Sequence, residues 1–78
     1  MEEAHRRSFK NRDEVEKSSL CGCFYCEKSF SSEEIDEWVD DGETALCPFC
    51  GIDSVIGSAA GFKLDRLFLH SMNERWFS

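Results

Sequence analysis

With 78 residues, the chain has room for one small domain and too little for a core that is comfortably stable without a staple. Sixteen acidic against nine basic residues leave a net charge of -7, which opposes binding to a phosphate backbone overall. No stretch approaches the roughly 20 apolar residues of a membrane span, and the opening Glu2-Glu3-Ala4-His5-Arg6-Arg7 lacks the apolar run of a secretory signal, so a reducing, cytoplasmic setting is expected.

Residues 1–20 form a polar N-terminal segment, and 21–78 read as the domain proper. The first segment carries Arg6, Arg7, Lys10 and Arg12 with no acid between positions 5 and 12. Asn11 with Glu14 three residues later predicts a short helix entered through a capping box. Phe9, Val15 and Leu20 are its larger apolar anchors, and the first few residues are expected to be mobile. The run Cys21-Gly22-Cys23-Phe24-Tyr25-Cys26 then reads as a tight knuckle with aromatic flanks.

A helix is expected over 32–41. Ser31 suits its N-cap, Glu34 its N3 position, and Ile35, Trp38 and Val39 fall on one face. Gly42 suits the stop. Asp40 and Asp41 oppose the helix dipole there, by about 0.3–1 kcal/mol each when exposed. Thr44-Ala45-Leu46 predicts a strand leading into Cys47-Pro48-Phe49-Cys50-Gly51, and Ile52 to Ile56 the returning strand of a short β-hairpin. Gly57 to Gly61 reads as a flexible turn. Leu64, Phe68, Met72 and Trp76, with Leu67 beside them, predict a C-terminal amphipathic helix.

Two Cys-x-x-Cys pairs separated by 20 residues are the strongest chemical signal. Zinc takes four soft ligands in a tetrahedron, and a two-residue spacer lets one turn present both sulfurs to one ion. Pro48 fixes φ inside the second turn, and Gly51 permits a positive φ just after the last ligand. Cys23, Cys26, Cys47 and Cys50 are therefore the expected ligands of one structural Zn²⁺, with iron as the other metal such a set accepts. Binding would supply folding free energy that so small a domain lacks. Cys47-Pro48-Phe49-Cys50 also matches the active-site pattern of glutaredoxin-like thiol oxidoreductases. There, however, the motif opens a helix that lowers the first thiol's pKa, whereas turn and strand follow here. Cys21 can replace Cys23 as a ligand, act as a regulatory thiol, or simply pack beside the site.

Catalysis has little support. His5 and His70 lie in neither a His-Glu-x-x-His nor a His-x-Glu pattern, and a closed four-cysteine site leaves no position for a reactive water. Phe24, Tyr25, Phe30 and Phe49 suit a miniature core around the metal better than a base-stacking platform in an acidic chain. Trp76 and Phe77 are expected to complete the core through the C-terminal helix, or to mark an interface if exposed.

The string from Cys21 to Cys26, followed by Thr44-Ala45-Leu46-Cys47-Pro48-Phe49-Cys50-Gly51-Ile52-Asp53-Ser54-Val55-Ile56-Gly57, resembles a group of short bacterial cytoplasmic proteins of uncharacterised activity. The likeness runs from about His5 to Phe77. It implies a bacterial, cytosolic setting and a zinc-ribbon-like core, and it assigns no role to His5, Asp53 or Ser54. The expected fold is small α+β and zinc-ribbon-like: two knuckles, a short hairpin, one helix between the knuckles and one at the C-terminus. The expected function is a non-catalytic zinc module that engages another protein through the acidic helix 32–41. A nucleic-acid-binding ribbon using Arg6, Arg7, Lys10 and Arg12 is one competing class. A thiol oxidoreductase using Cys47 and Cys50 is the other.

Overall fold

The computed structural model describes residues 2–77. It is a small α+β fold with the element order α1 (Glu2–Arg6), α2 (Arg12–Lys17), β1 (Cys21–Cys23), β2 (Ser29–Phe30), β3 (Trp38–Val39), β4 (Thr44–Ala45), β5 (Val55–Gly57) and α3 (Arg66–Phe77). Single 3₁₀ turns lie at Ser32–Glu34 and Ser58–Ala60. One antiparallel sheet has the order β2-β1-β5, and a second pairs β3 with β4.

The larger sheet divides two cores. Side chains alternate across a strand, so Cys21 and Cys23 of β1 face one way and Gly22 and Phe24 the other. Register places Cys23 opposite Val55 and Gly22 opposite Ile56. On the first face Cys21, Cys23 and Val55 join Val15, Phe30, Ile35, Ala45 and Cys47. On the second, Phe24 and Ile56 join Ala4, Leu64, Leu69 and Met72. Gly22 leaves room for that second contact, because a Cβ there would stand only 3.1 Å from both terminal methyls of Leu69 and would press them back.

The expected helix over 32–41 does not form. Ser31 and Glu34 do make the capping box, but it starts only one 3₁₀ turn, and Ile35 is already extended. The acids at 33, 34, 36 and 37 repel one another at helical spacing, and Asp40 and Asp41 would add charge against the dipole. Trp38 instead lies under the Arg12 guanidinium, 4.6 Å from the ring centre, in a strand paired with Thr44–Ala45. Asp40, Asp41 and Gly42 all take positive φ and reverse the chain between these strands. The expected hairpin between 44–46 and 52–56 is likewise redistributed: β4 pairs with β3, and β5 pairs with β1.

Asn11 precedes α2 but does not cap it with its side chain. Its amide instead donates to the carbonyls of Arg7 and Val55, at 3.0 and 2.8 Å, and accepts from the Ala45 N–H at 3.3 Å. Thus one buried side chain joins the N-terminal segment to both sheets. Val15 is buried as expected, whereas Phe9 and Leu20 are exposed.

The C-terminal helix begins later than its apolar pattern suggests. The Asp65 carboxylate accepts from the Phe68 N–H at 2.8 Å, as an N-cap does, which leaves Leu64 buried in the preceding loop. The buried face is then Leu69 and Met72, with Trp76 packed beside them, while Leu67 is 79% exposed. The indole N–H of Trp76 is the only buried side-chain polar group without a partner among the described residues.

Candidate metal centre

The two knuckles repeat one backbone design. In the first, the Glu27 N–H bonds to the Cys23 carbonyl at 2.8 Å and the Cys23 N–H to the Lys28 carbonyl at 2.9 Å. In the second, the Gly51 N–H bonds to the Cys47 carbonyl at 2.9 Å and the Cys47 N–H to the Ile52 carbonyl at 3.0 Å. The residue after each second cysteine is left-handed: Glu27 at φ 63° and Gly51 at φ 77°. Each turn also aims backbone N–H groups at its own first sulfur, among them Tyr25 to Cys23 and Phe49 to Cys47, both at 3.4 Å. Donors so placed stabilise a thiolate.

The hydrogen-bonded turns bring all four sulfurs together. The Sγ atoms of Cys23, Cys26, Cys47 and Cys50 lie within 4.8 Å of one another. Across the knuckles Cys23 stands 3.6 Å from Cys50, and Cys26 stands 3.7 Å from Cys47. A tetrahedron of sulfurs about 2.3 Å from its centre has edges of about 3.8 Å, so these contacts fit one ion. They do not fit disulfides, whose sulfurs stand about 2.05 Å apart, and all five cysteines are free. The four side chains are positioned to hold one metal ion.

The thiols feel this crowding. Burial pushes Cys23 and Cys26 up to about 11 and raises Cys50 as well. Burial also pushes on Cys47, but the backbone N–H groups of Cys50 and Phe49, with the sulfurs of Cys26 and Cys50, outweigh it and leave that thiol lowered. A cation at the centre of the four removes the cost of burying thiolates there, because it supplies the opposing charge they lack.

Several neighbours shape the site. Ser54, 1% exposed, places its hydroxyl 3.0 Å from the Cys23 sulfur, a contact with no sequence signal beyond its place in the 47–57 string. Cys21 is not one of the four: it is fully buried on β1, opposite Phe30 and Gly57, and burial raises its thiol to about 11. His70 reaches back from α3 to Glu27 at 3.2 Å, and Asn73 donates to the Tyr25 carbonyl at 2.8 Å, so α3 braces the first knuckle. The aromatic residues split between roles. Phe24 and Phe30 are buried in separate cores, while Tyr25 and Phe49 are about half exposed. Phe77 is 45% exposed and packs on Phe24 and Tyr25.

The charged segments are arranged differently from each other. Arg7 bonds to Glu3 at 2.8 Å and to Glu14 at 2.7 Å. Arg12 bonds to Glu16 and to the Gly42 carbonyl besides stacking on Trp38. By contrast, Glu33, Glu34, Asp36, Glu37, Asp40, Asp41 and Glu43 are all exposed, and none forms an ion pair among the described residues. No helix is long and apolar enough to cross a membrane among the described residues. Comparisons with protein-family models, with curated proteins and with solved structures found no match to this chain.

Proposed function

We propose that the chain is a non-catalytic module built on one structural Zn²⁺ held by Cys23, Cys26, Cys47 and Cys50. The observation that carries this reading is the meeting of four sulfurs at tetrahedral-edge distances. Four thiolates favour zinc among the common divalent ions and close its coordination, which leaves no place for a reacting water. When bound, the ion contributes apparent folding free energy on the order of 10–16 kcal/mol. The chain's own part is to buttress the thiolates with the N–H groups of Tyr25 and Phe49 and the hydroxyl of Ser54. The oxidoreductase reading is weaker, because Cys47 opens a turn that returns through Ile52 toward β5 and no helix begins there.

The exposed acids between 33 and 43 support the second half of the proposal: a protein partner with a basic surface. Complementary charge would steer such a partner and make its binding sensitive to salt. Nucleic acid is the poorer candidate, because Arg7 and Arg12 are occupied by their own carboxylates and carbonyls.

Metal analysis of natively purified protein tests the first half. One zinc per chain is expected, as is a tetrahedral thiolate spectrum on cobalt substitution. Metal-free protein with native NMR dispersion would refute it. For the second half, a Glu33→Lys/Glu37→Lys variant should lose a partner that wild type retains at low salt. Retention of that partner by the variant, or a salt-sensitive shift of DNA by wild type, would count against it.

A further inference from the structure

A cavity of about 400 Å³ lies between the first helix and the end of the last, and Ser54, whose hydroxyl touches the Cys23 sulfur, forms part of its wall. His5, Arg6, Phe9, Phe24, Asp53 and Phe77 line it. Its size falls within the roughly 300–1,000 Å³ of small-molecule sites. Of these six, Phe24 lies inside the first knuckle, and the other five neither offer a sulfur nor bond to one. Asp53 and His5 also belong to the stretches for which the zinc reading supplies no role.

Ser8 and Ser54 also line the cavity and are bonded to the His5 carbonyl and the Cys23 sulfur, whereas its other polar side chains are open. The Asp53 carboxylate and the ring nitrogens of His5 have no hydrogen-bond or ionic partner among the described residues. Arg6 has one ion pair, 3.4 Å to Glu3, and its side chain is 78% exposed, unlike the doubly bonded Arg7 and Arg12. The apolar walls are aromatic, and Phe9 and Phe77 are 57% and 45% exposed. His5 itself is held in place by stacking on Trp76, with ring centres 3.9 Å apart.

These groups narrow the ligand. Arg6 only donates hydrogen bonds, Asp53 as a carboxylate only accepts, and His5 can do either. Their charges nearly cancel, so an anion that gains from Arg6 is repelled by Asp53, and a cation the reverse. The net charge of -7 further disfavours phosphorylated ligands. A flat neutral ring that carries an N–H beside a carbonyl offers a donor to Asp53 and an acceptor to Arg6, and its faces suit the phenyl rings. An indole side chain has a donor and no acceptor, and a phenyl side chain has neither. From this lining we infer that the cavity binds a nucleobase or nucleoside with such a lactam edge, as in guanosine, inosine or uridine.

Titration of guanosine, inosine and uridine into the metal-loaded full chain, followed by calorimetry and by backbone NMR shifts, tests this. Saturable binding is expected for at least one of the three, with shifts at Phe24, Ser54 and Phe77 and none across residues 33–43. For the purines, adenosine and N1-methylguanosine, which lack the N–H beside a carbonyl, should bind roughly tenfold or more weaker. Arg6→Ala and Asp53→Ala should each weaken binding roughly ten- to a hundredfold while zinc content stays at the wild-type level. Leu67→Ala, on an exposed helix face, should change nothing. No response to any of the three at millimolar concentration overturns the proposal. So does equal affinity for adenosine, or affinity unchanged in the Arg6→Ala/Asp53→Ala double variant. The nucleoside comparison uses the native chain, so it stands even if a variant folds poorly.

Discussion

Replacing Ser54 by alanine isolates one hydrogen bond to the proposed metal centre. The Ser54 hydroxyl lies 3.0 Å from the Cys23 sulfur, closer than the Tyr25 N–H at 3.4 Å. Cys23 is 0% exposed, and its thiol is pushed up to about 11, chiefly by burial and against the pull of the Ser54 hydroxyl. Metal binding makes this sulfur a thiolate, so the hydroxyl must then be the donor in a charge-assisted bond. Such bonds contribute about 1.5–3 kcal/mol, which corresponds to roughly a 10- to 100-fold change in metal affinity. Alanine keeps the small side chain buried and removes only the donor. The assay is competition for zinc against chelators of graded affinity at fixed pH, with the exposed Ser29→Ala as control. A Ser54→Ala affinity indistinguishable from that of Ser29→Ala would refute the reasoning.

Four further outcomes are expected. Gly57→Ala should destabilise the metal-loaded protein by about 1–3 kcal/mol in thermal melts, because the new Cβ would overlap the Ser18 hydroxyl and sit 3.1 Å from the Val15 Cα; an unchanged melting temperature would contradict that packing. Asn11→Ala should cost at least about 2 kcal/mol in urea unfolding, since the Val55 carbonyl and the Ala45 N–H lose their partner in the interior. Leu69→Ala should cost about 2–5 kcal/mol, whereas Leu67→Ala should stay within about 0.5 kcal/mol; the reverse order would mean that the helix presents its other face. Chelation should abolish the helical circular dichroism in one step with metal release, and a helix signal that outlasts the metal would argue against a shared sheet.

The metal-site geometry was legible because coordination chemistry leaves little freedom. A two-residue spacer, a proline within the turn and a glycine after it all specify one backbone design, and Gly51 takes the left-handed φ that its position requires. Glu27 occupies the same backbone position in the first knuckle without advertising it. Superposing Cys23-x-x-Cys26-Glu27 on Cys47-x-x-Cys50-Gly51 is the one sequence signal that points to it. Local patterns were poorer guides where tertiary contacts compete. Three apolar residues at helical spacing around Trp38 were overruled by the Arg12 guanidinium, crowded acids and a left-handed reversal at 40–42. Asn11 carries the signature of a cap, yet its amide is drawn into the interior by Val55 and Ala45, far away in sequence. In the last helix Asp65 sets the start, which takes Leu64 out of the stripe and brings Leu69 in. The cavity between His5 and Phe77 joins the two ends of the chain, so no local pattern could reveal it.

The larger sheet explains why the metal should govern the whole fold. The first core contains Cys23 and Cys47 and packs against Cys26 and Cys50, whereas the second contains no cysteine. Taken alone, that would predict a second core able to survive metal loss. But β5 and the run of β1 into Phe24 supply side chains to both: Cys23 and Val55 on one face, Phe24 and Ile56 on the other. The pairing of Gly22 with Ile56 that seats Leu69 is the same ladder that pairs Cys23 with Val55. The strands have only three residues each, too few to persist when one face is opened to water. Once the knuckles release their ion, the ladder loses its closure at the Cys23 end, and Leu69 and Met72 lose the surface they cover. A helix of 12 residues is marginal in water without such a surface, so α3 should unfold with the knuckles although it contributes no ligand.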